Sequence, residues 1–389
     1  MVIGMFSESY LPMLNGVVTS IHTLRKGLEA LGHTVYVICT DAELKEEDND
    51  PYVIRLKGFT IPTKSLSNFK LVRRAYRKFK KQMPNINFDI IHIHTEFSLG
   101  GLGIKLSKKY NIPLVYTFHT MYEEYGHYVL PFGLRHIGKP FYMIYVKKKF
   151  ASVAKNAKSL ILPTEKVADM VKRYKVDKPY DIIPTGIDFG KFEDKYSSEQ
   201  ILEIKKKYGL ENHITLLYVG RISKEKSLDE LINMYNNSGL HNKCKLLIVG
   251  NGPYYEEIRS IVKKDNLDND VIFTGPIPND LVGLYYHVGD VFVNASKTET
   301  QGLTYVEALA SSLPVLAKYD TNLDDIIINY ENGIFYNNEE EFIEKLKEIT
   351  SNKDLRFKLK QNARASVEKY SSNAFANEVL KVYNRYVTK

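Results

Sequence analysis

Short apolar runs alternate with amphipathic segments along nearly the whole chain. The first run is "MVIGMF" (1–6). An amphipathic stretch, "GVVTSIHTLRKGLEALG" (16–32), follows and ends on Gly32, a helix-stop signal. Then come "HTVYVICT" (33–40), "FDIIHIHT" (88–95), "IPLVYTFHT" (112–120), "SLILPT" (159–164) and "YDIIPTGID" (180–188). Between the second and third of these, "LGGLGIKLSKKYN" (99–111) has helical spacing. Strands that are Val/Ile/Leu-rich throughout, rather than alternating with polar residues, are buried on both faces. With helices between them they predict a parallel sheet.

A polar stretch, "FGKFEDKYSSEQ" (189–200), interrupts the pattern, which then starts again. "HITLLYVGRIS" (213–223), "CKLLIVGNG" (244–252), "DVIFTGPIP" (270–278), "DVFVNAS" (290–296) and "LPVLAKY" (313–319) predict a second set of strands. The final segment, 371–389, reads as an amphipathic helix. The expectation is an α/β protein of two doubly wound Rossmann-like domains, 1–188 and 189–370, facing a deep cleft. In open parallel sheets ligands bind beyond the carboxyl ends of the strands, so the chemistry is expected at strand ends.

The 389 residues suffice for two such domains, and 44% hydrophobic with 26% charged residues is a globular profile. Two cysteines, one in each half, make no disulfide framework and suit a reducing compartment. No apolar run approaches the roughly 20 residues of a spanning helix. The opening "MVIGMFSESY" lacks a basic leader and a long apolar core, so no signal peptide is expected.

Charge divides the chain unevenly. Residues 1–190 carry 28 Lys and Arg against 17 Asp and Glu, a balance of +11, whereas the remainder stands at −3. Residues 51–88 hold ten cations and no acid. Within them, "LVRRAYRKFKKQM" (71–83) sets Leu71, Val72, Ala75, Tyr76, Phe79 and Met83 at helical spacing among Arg73, Arg74, Arg77 and Lys78. Such a basic amphipathic helix suits an anionic membrane surface; the alternative is a solvated helix whose apolar stripe packs into its own domain. No nucleic-acid motif accompanies the charge, and no nucleic acid is expected as a partner.

In the second half, "TETQGLTYVEAL" (298–309) places two acids eight positions apart, with Gly302 opening a helix between them. The first N–H groups of that helix, at Gly302, Leu303 and Thr304, make a seat for phosphate. Glu307 leans back toward this seat and Glu299 stands on the loop before it, which suits a ligand with hydroxyls on both sides of a diphosphate. A Glu307 that only bridges its own helix is the alternative. "YVGRISKEKSLDELI" (218–232) places Arg221 and Lys226 just past a strand, a natural clamp for a diphosphate leaving group. "TGPIPNDL" (274–281) exposes backbone near Ile277 that can pair with a base edge. In the first half, Asn15-Gly16 lets a ligand approach the backbone, unless Gly16 is only a turn glycine. His119 ends a strand, where it can hydrogen-bond a sugar hydroxyl or stabilise a developing positive charge. Asn15 and Tyr122 are candidates to touch the acceptor. "HIH" (92–94) has no metal-ligand company, and "GGLG" (100–103) is not a full dinucleotide fingerprint. No obligatory cofactor or metal is expected.

Arg221 with Lys226, the Glu299–Glu307 pair, Asn15-Gly16 and Thr117-Phe118-His119 together resemble the retaining glycosyltransferases of family 4, of GT-B fold. The resemblance runs over nearly the whole chain. It implies that Arg221 and Lys226 hold the donor diphosphate, that Glu307 holds the ribose and Glu299 the donor sugar, and that His119 sits by the reacting centre. It also implies that the last helix crosses back to the first domain and that cationic side chains replace a divalent ion. "FSESYLPMLNGVVTSI", "HIHTEFSLG", "TFHTMYEEYGHY", "IIPTGID" and "ETQGLTYVEALAS" look like bacterial 1,2-diacylglycerol 3-alpha-glucosyltransferases. They imply a UDP-hexose, UDP-glucose first, as donor substrate and diacylglycerol as acceptor. They also imply a cytoplasmic protein peripherally held at the inner face of the cell membrane. Many relatives carry two glycines where this chain has Asn15-Gly16. Related enzymes use glycolipid, polyprenyl, polysaccharide or teichoic acid acceptors. A non-catalytic UDP-sugar sensor and a UDP-sugar epimerase are the other classes.

Overall fold

The structure is a computed structural model describing residues 1–387, except 14, 43–49, 61–69, 84, 86, 120–134, 194, 297–298 and 300; of 135–143 the backbone alone is described. The chain divides into two compact units, Met1–Gly186 with Ser372–Lys389, and Ile187–Ser371.

The first unit is built on a seven-stranded, wholly parallel sheet. Its strands are β1 (Val2–Phe6), β2 (Thr34–Thr40), β3 (Val53–Leu56), β6 (Ile90–Ile93), β7 (Leu114–Thr117), β8 (Ser159–Leu162) and β9 (Tyr180–Ile182). They lie in the order β3-β2-β1-β6-β7-β8-β9. A small antiparallel pair, β4 (Phe59–Thr60) and β5 (Lys70–Leu71), stands apart. Alternation along β1 sends Ile3 and Met5 to one face and Phe6 to the other. The first face is covered by the helix Gly16–Ala30 through Val18, Ile21, Leu24 and Leu28, and by the last helix, Ser372–Asn384, through Phe375, Val379, Val382 and Tyr383. These two helices touch where a Cβ on Gly27 would lie 2.6 Å from that of Ala376, so the last helix can dock only against a glycine. The other face packs against the helices Ala75–Gln82, Ser98–Tyr110 and Arg135–Asn156, through Phe79, Leu102 and Phe150 among others.

The second unit repeats the plan with six parallel strands, β10 (Ile214–Val219), β11 (Cys244–Val249), β12 (Val271–Gly275), β13 (Val291–Asn294), β14 (Val315–Lys318) and β15 (Gly333–Tyr336). Their order is β12-β11-β10-β13-β14-β15. In both sheets the first strand lies centrally and the order reverses beside it, between β1 and β6 and between β10 and β13. Such reversals open a crevice at the carboxyl ends of the strands. The segments that leave β10 and β13 carry Arg221, Lys226 and Glu299.

The basic segment 71–83 departs from a single helix. Leu71 pairs in β5, Arg74 sits in the left-handed region at φ 53°, and the helix runs only over Ala75–Gln82. Val72 and Phe79 are buried, and Ala75, Tyr76 and Met83 pack against the same core. The apolar stripe is therefore spent inside its own unit, as the solvated-helix alternative requires. Among the described residues no helix is long and apolar enough to cross a membrane.

Candidate functional site

β10 delivers Gly220 and Arg221 at its carboxyl end, and Tyr218 donates from its hydroxyl to the Arg221 carbonyl at 3.1 Å. A short 3-10 turn, Lys224–Lys226, then aims Lys226 back across the sheet. Its Nζ meets Glu299 Oε1 at 2.8 Å, and Glu299 is 5% exposed. The contact joins residues 73 apart, so Lys226 of the cation motif and the first acid form one pair. The backbone N–H of Glu299 donates to Asp320 Oδ2 at 3.2 Å, while Asn322 Nδ2 donates to the Glu299 carbonyl at 2.8 Å. The loop after β14 thus braces the loop after β13. Asp320, Asn322 and the nearby Lys318–Glu230 pair were not singled out from sequence. Their signal was the strand-end position of "KYDTN".

The helix Leu303–Ala310 starts directly beyond. Gly302 is its N-cap at φ 63°, with no side chain capping the first turn and no acid in it. A Cβ there would lie 2.6 Å from Leu323 Cδ2, so both conformation and packing demand glycine. Leu303 and Thr304 form the uncapped first turn, which keeps the positive end of the helix available to an anion. Ser296 Oγ, Gln301 Nε2 and Tyr305 OH are buried on this segment without a hydrogen-bond partner among the described residues. Buried polar atoms are normally satisfied, so such a group marks a surface shaped for something polar.

Glu307 lies one turn further. Burial pushes its carboxyl up to about 7, against the hydrogen bond donated by Tyr286 OH at 2.8 Å and the pull of Lys191. It forms no salt bridge within its helix. Tyr286 and Lys191, from other elements, were missed by sequence reasoning because neither sits in a motif. Ile277 lies past the end of β12, half-buried against the sheet core, two residues after Gly275 at φ 71°.

In the first unit, Asn15 is the N-cap of the helix Gly16–Ala30, its Oδ1 accepting from the Val18 N–H at 3.0 Å. That gives Asn15 a structural task before any ligand contact. Gly16 is not a turn glycine: its φ is not positive, and a Cβ there would meet nothing within 4 Å. Folding does not require glycine at this position. Glu8, on the loop after β1, is buried and accepts from Leu99 N–H at 2.6 Å and Ser98 Oγ at 2.9 Å, holding the start of the helix Ser98–Tyr110. His119 follows β7 by two residues, and burial lowers its pKa to about 4, so it is neutral at pH 7. Its Nε2 lies 3.0 Å from His94 Nδ1. Tyr122 lies outside the described residues. Arg73, Arg74 and Arg77 are exposed, Lys78 donates to the Lys57 carbonyl at 2.5 Å, and none of the four makes an ion pair with a described residue. No group of three or more His, Cys, Asp and Glu among the described residues is placed to hold a metal ion.

Two parallel sheets of this order, with cations and acids gathered where the second one reverses, define a GT-B glycosyltransferase. Sequence comparison agrees. Residues 14–191 match the model of Glycosyltransferase Family 4 and residues 200–366 that of Glycosyl transferases group 1. The chain is 40% identical to the alpha-monoglucosyldiacylglycerol synthase of Acholeplasma laidlawii, over 100% of this chain and 98% of that one. It is 36% identical to the enzyme of the same name from Streptococcus pneumoniae, over 86% of this chain and 75% of the other. Among solved structures, sucrose-phosphate synthase from Thermosynechococcus elongatus superimposes with a TM-score of 0.76 at 19% identity, over 99% and 98% of the two chains. The chain belongs to the family 4 glycosyltransferases and is a hexosyltransferase.

Proposed function

We propose that this enzyme transfers glucose from UDP-glucose to diacylglycerol at a membrane surface, forming a monoglucosyl-diacylglycerol with retention at the anomeric carbon. The observation that supports the donor half is the Lys226–Glu299 contact, which pairs one cation of the proposed clamp with the proposed sugar-binding acid on the loop that leads to the uncapped helix end at Gly302. The acceptor half is supported by the two relatives named as synthases of alpha-monoglucosyldiacylglycerol.

In this reading, Arg221 grips the diphosphate with a planar fork and Lys226 adds a point charge, and the N–H groups of Leu303 and Thr304 take further oxygens. Glu307 accepts the ribose hydroxyls, and the backbone near Ile277 pairs with the base edge. Glu299 binds the sugar while holding Lys226 against the phosphates. When the bond from C1 to the diphosphate oxygen breaks, the departing charge falls on groups already in place, which is worth far more than assembling them during the reaction. His119, neutral at pH 7, contacts the sugar. The acceptor hydroxyl enters on the face the diphosphate leaves, its proton passing to the leaving phosphate. With the charge borne by Arg221, Lys226 and a helix end, turnover should survive chelation of divalent ions.

Membrane contact rests on charge. Because the apolar stripe of Ala75–Gln82 is buried, Arg73, Arg74, Arg77 and Lys78 draw the protein to anionic lipid without inserting it. The test is radiolabelled UDP-glucose supplied with diacylglycerol in anionic vesicles, the product identified by mass. Label in monoglucosyl-diacylglycerol is expected. Label only in a soluble glycan or an already glycosylated lipid would refute the acceptor, and interconversion of UDP-sugars without acceptor would refute transfer.

A further inference from the structure

The "HIH" pair at 92–94, which no metal explains, lies under His119. Residues two apart on a strand share a face, so His92 and His94 stand side by side, their ring centroids 4.0 Å apart. His92 is fully buried and satisfied at both nitrogens: Nδ1 meets Tyr383 OH at 2.6 Å and Nε2 meets Thr117 Oγ1 at 2.6 Å. Tyr383 belongs to the last helix and Thr117 ends the strand that leads to His119, so His92 fixes the ground on which the other two rings stand. The backbone is equally fixed, with His94 N–H donating to Phe6 O at 2.9 Å and Phe118 N–H to Ile161 O at 3.1 Å. The rings of His94 and His119 are stacked at 20°, with Nδ1 of the first 3.0 Å from Nε2 of the second.

That distance admits one proton. Burial holds all three rings neutral at pH 7, lowering His92 to about 3, His119 to about 4 and His94 well below its ordinary value. Each ring therefore has one N–H and one bare nitrogen. The choice between the two arrangements falls to the other nitrogen of His94. Its Nε2 is buried, in a residue 2% exposed, and has no partner among the described residues. Were the proton there, a donor would be buried unsatisfied, a rarer and costlier state than an unused acceptor lone pair.

We infer that His94 is the positioning residue of His119: it carries its proton on Nδ1, donates it to His119 Nε2, and so obliges His119 to present an Nδ1–H donor to the ligand. This rests on the reading of His119 as the group facing the donor sugar. An Nδ1–H there donates to a hydroxyl or ring oxygen; the opposite tautomer would offer a lone pair and would have to accept from a hydroxyl. His94 thereby decides which oxygens of the sugar the site tolerates, without touching the sugar.

Neutron diffraction on the deuterium-exchanged protein reads the result directly and is independent of any substrate. Deuterons are expected on Nδ1 of His94 and Nδ1 of His119; a deuteron on Nε2 of either overturns the assignment, whatever reaction the enzyme performs. Kinetically, His94→Phe keeps a ring but removes the donor, whereas His94→Asn places an amide N–H close to the Nδ1 position. In transfer assays His94→Phe is expected to lose about tenfold or more in kcat, as expected for a mispositioned hydrogen-bonding group. Affinity for UDP, whose proposed residues all belong to the other unit, should not change. His94→Asn should recover most of the rate. Parental turnover in a folded His94→Phe, or equal damage in both variants, would overturn the positioning role. Retained tautomers in an enzyme that transfers no sugar would instead refute the function proposed above.

Discussion

The ribose role proposed for Glu307 ties donor binding to pH, and the burial of its carboxyl sets the size of the linkage. In the free protein its carboxyl is pushed up to about 7, so at neutral pH roughly half of the molecules carry a protonated acid. Ribose hydroxyls donate best to a carboxylate, so the ligand must select the ionised form and drive the proton off. If the bound carboxyl returns to its ordinary range near 4.5, the ionised fraction available for binding falls from about 0.9 at pH 8 to about 0.1 at pH 6. Affinity should then weaken about tenfold, or about 1.4 kcal/mol, over those two units. At pH 7 binding should release about half a proton per ligand. UDP-glucose is the proper probe, because neither of its phosphates takes up a proton in this range, whereas the terminal phosphate of UDP does. The histidines near His119 do not interfere, since they are held neutral from well below pH 6.

Calorimetry at pH 6, 7 and 8, in buffers of low and high ionisation enthalpy, measures both quantities. Equal affinity at pH 6 and 8, or an enthalpy independent of buffer, would refute the ribose role of Glu307. Stability moves the other way. An unfolded Glu loses its proton near 4.5 while folded Glu307 keeps it to about 7, so between these values the folded chain holds the extra proton and stability falls as pH rises. The loss is at most about 3.4 kcal/mol. Glu307→Gln, neutral throughout, should not share it, and melting both proteins from pH 5 to 8 should show the parent declining against the variant.

Arg221→Ala should lower turnover by a factor on the order of 10² or more, as loss of a comparable charge stabiliser does; near-parental turnover would discard the clamp. The two glycines make opposed predictions. Gly16→Ala meets no atom and no strained φ, so it should raise stability by about 0.4–1 kcal/mol while impairing transfer, measurable by melting and rate assay together. Gly302→Ala, with its Cβ 2.6 Å from Leu323 at φ 63°, should cost about 1–3 kcal/mol before any effect on phosphate binding. Replacing Arg73, Arg74, Arg77 and Lys78 with Gln should weaken sedimentation with anionic vesicles by about 1 kcal/mol per charge at low salt. Undiminished binding would remove that segment from the interface, and unchanged binding after raising salt would remove electrostatics altogether.

Hydrophobic pattern carried the fold because strands of a covered parallel sheet have nothing but apolar neighbours. Every long strand announced itself, and the two units part between Gly186 and Ile187, just before the polar stretch that begins at 189. Four strands among the described residues escaped: Val53–Leu56 and Gly333–Tyr336 lie at sheet edges, where four residues leave a short trace, and Phe59–Thr60 and Lys70–Leu71 are only two residues each. Predicted strands also ran past their true ends: the run at 112–120 extends as a strand only to Thr117, and the one at 213–223 only to Val219. Those overruns carry His119 and Arg221, residues of the proposed site. Both read as strand continuations because apolar and β-prone residues run up to them, in "LVYTFHT" and "LLYVGRI".

The candidate site was legible as residue types and not as partners. Period and spacing describe one segment at a time, whereas function here depends on register between segments. Lys226 and Glu299, each legible alone, become a pair only because β10 and β13 are neighbours despite the 73 residues between their loops. His92 and His94 failed as a metal motif and then had no further use in one dimension. Their roles come from Thr117 on the adjacent strand and Tyr383, 291 residues away, which no local pattern connects. The same holds for the basic helix, whose amphipathic spacing is identical for a membrane and for a core. Phe79 and Val72 lying inside the unit decide the matter: the stripe belongs to the core, and the segment turns Arg73, Arg74 and Arg77 to solvent.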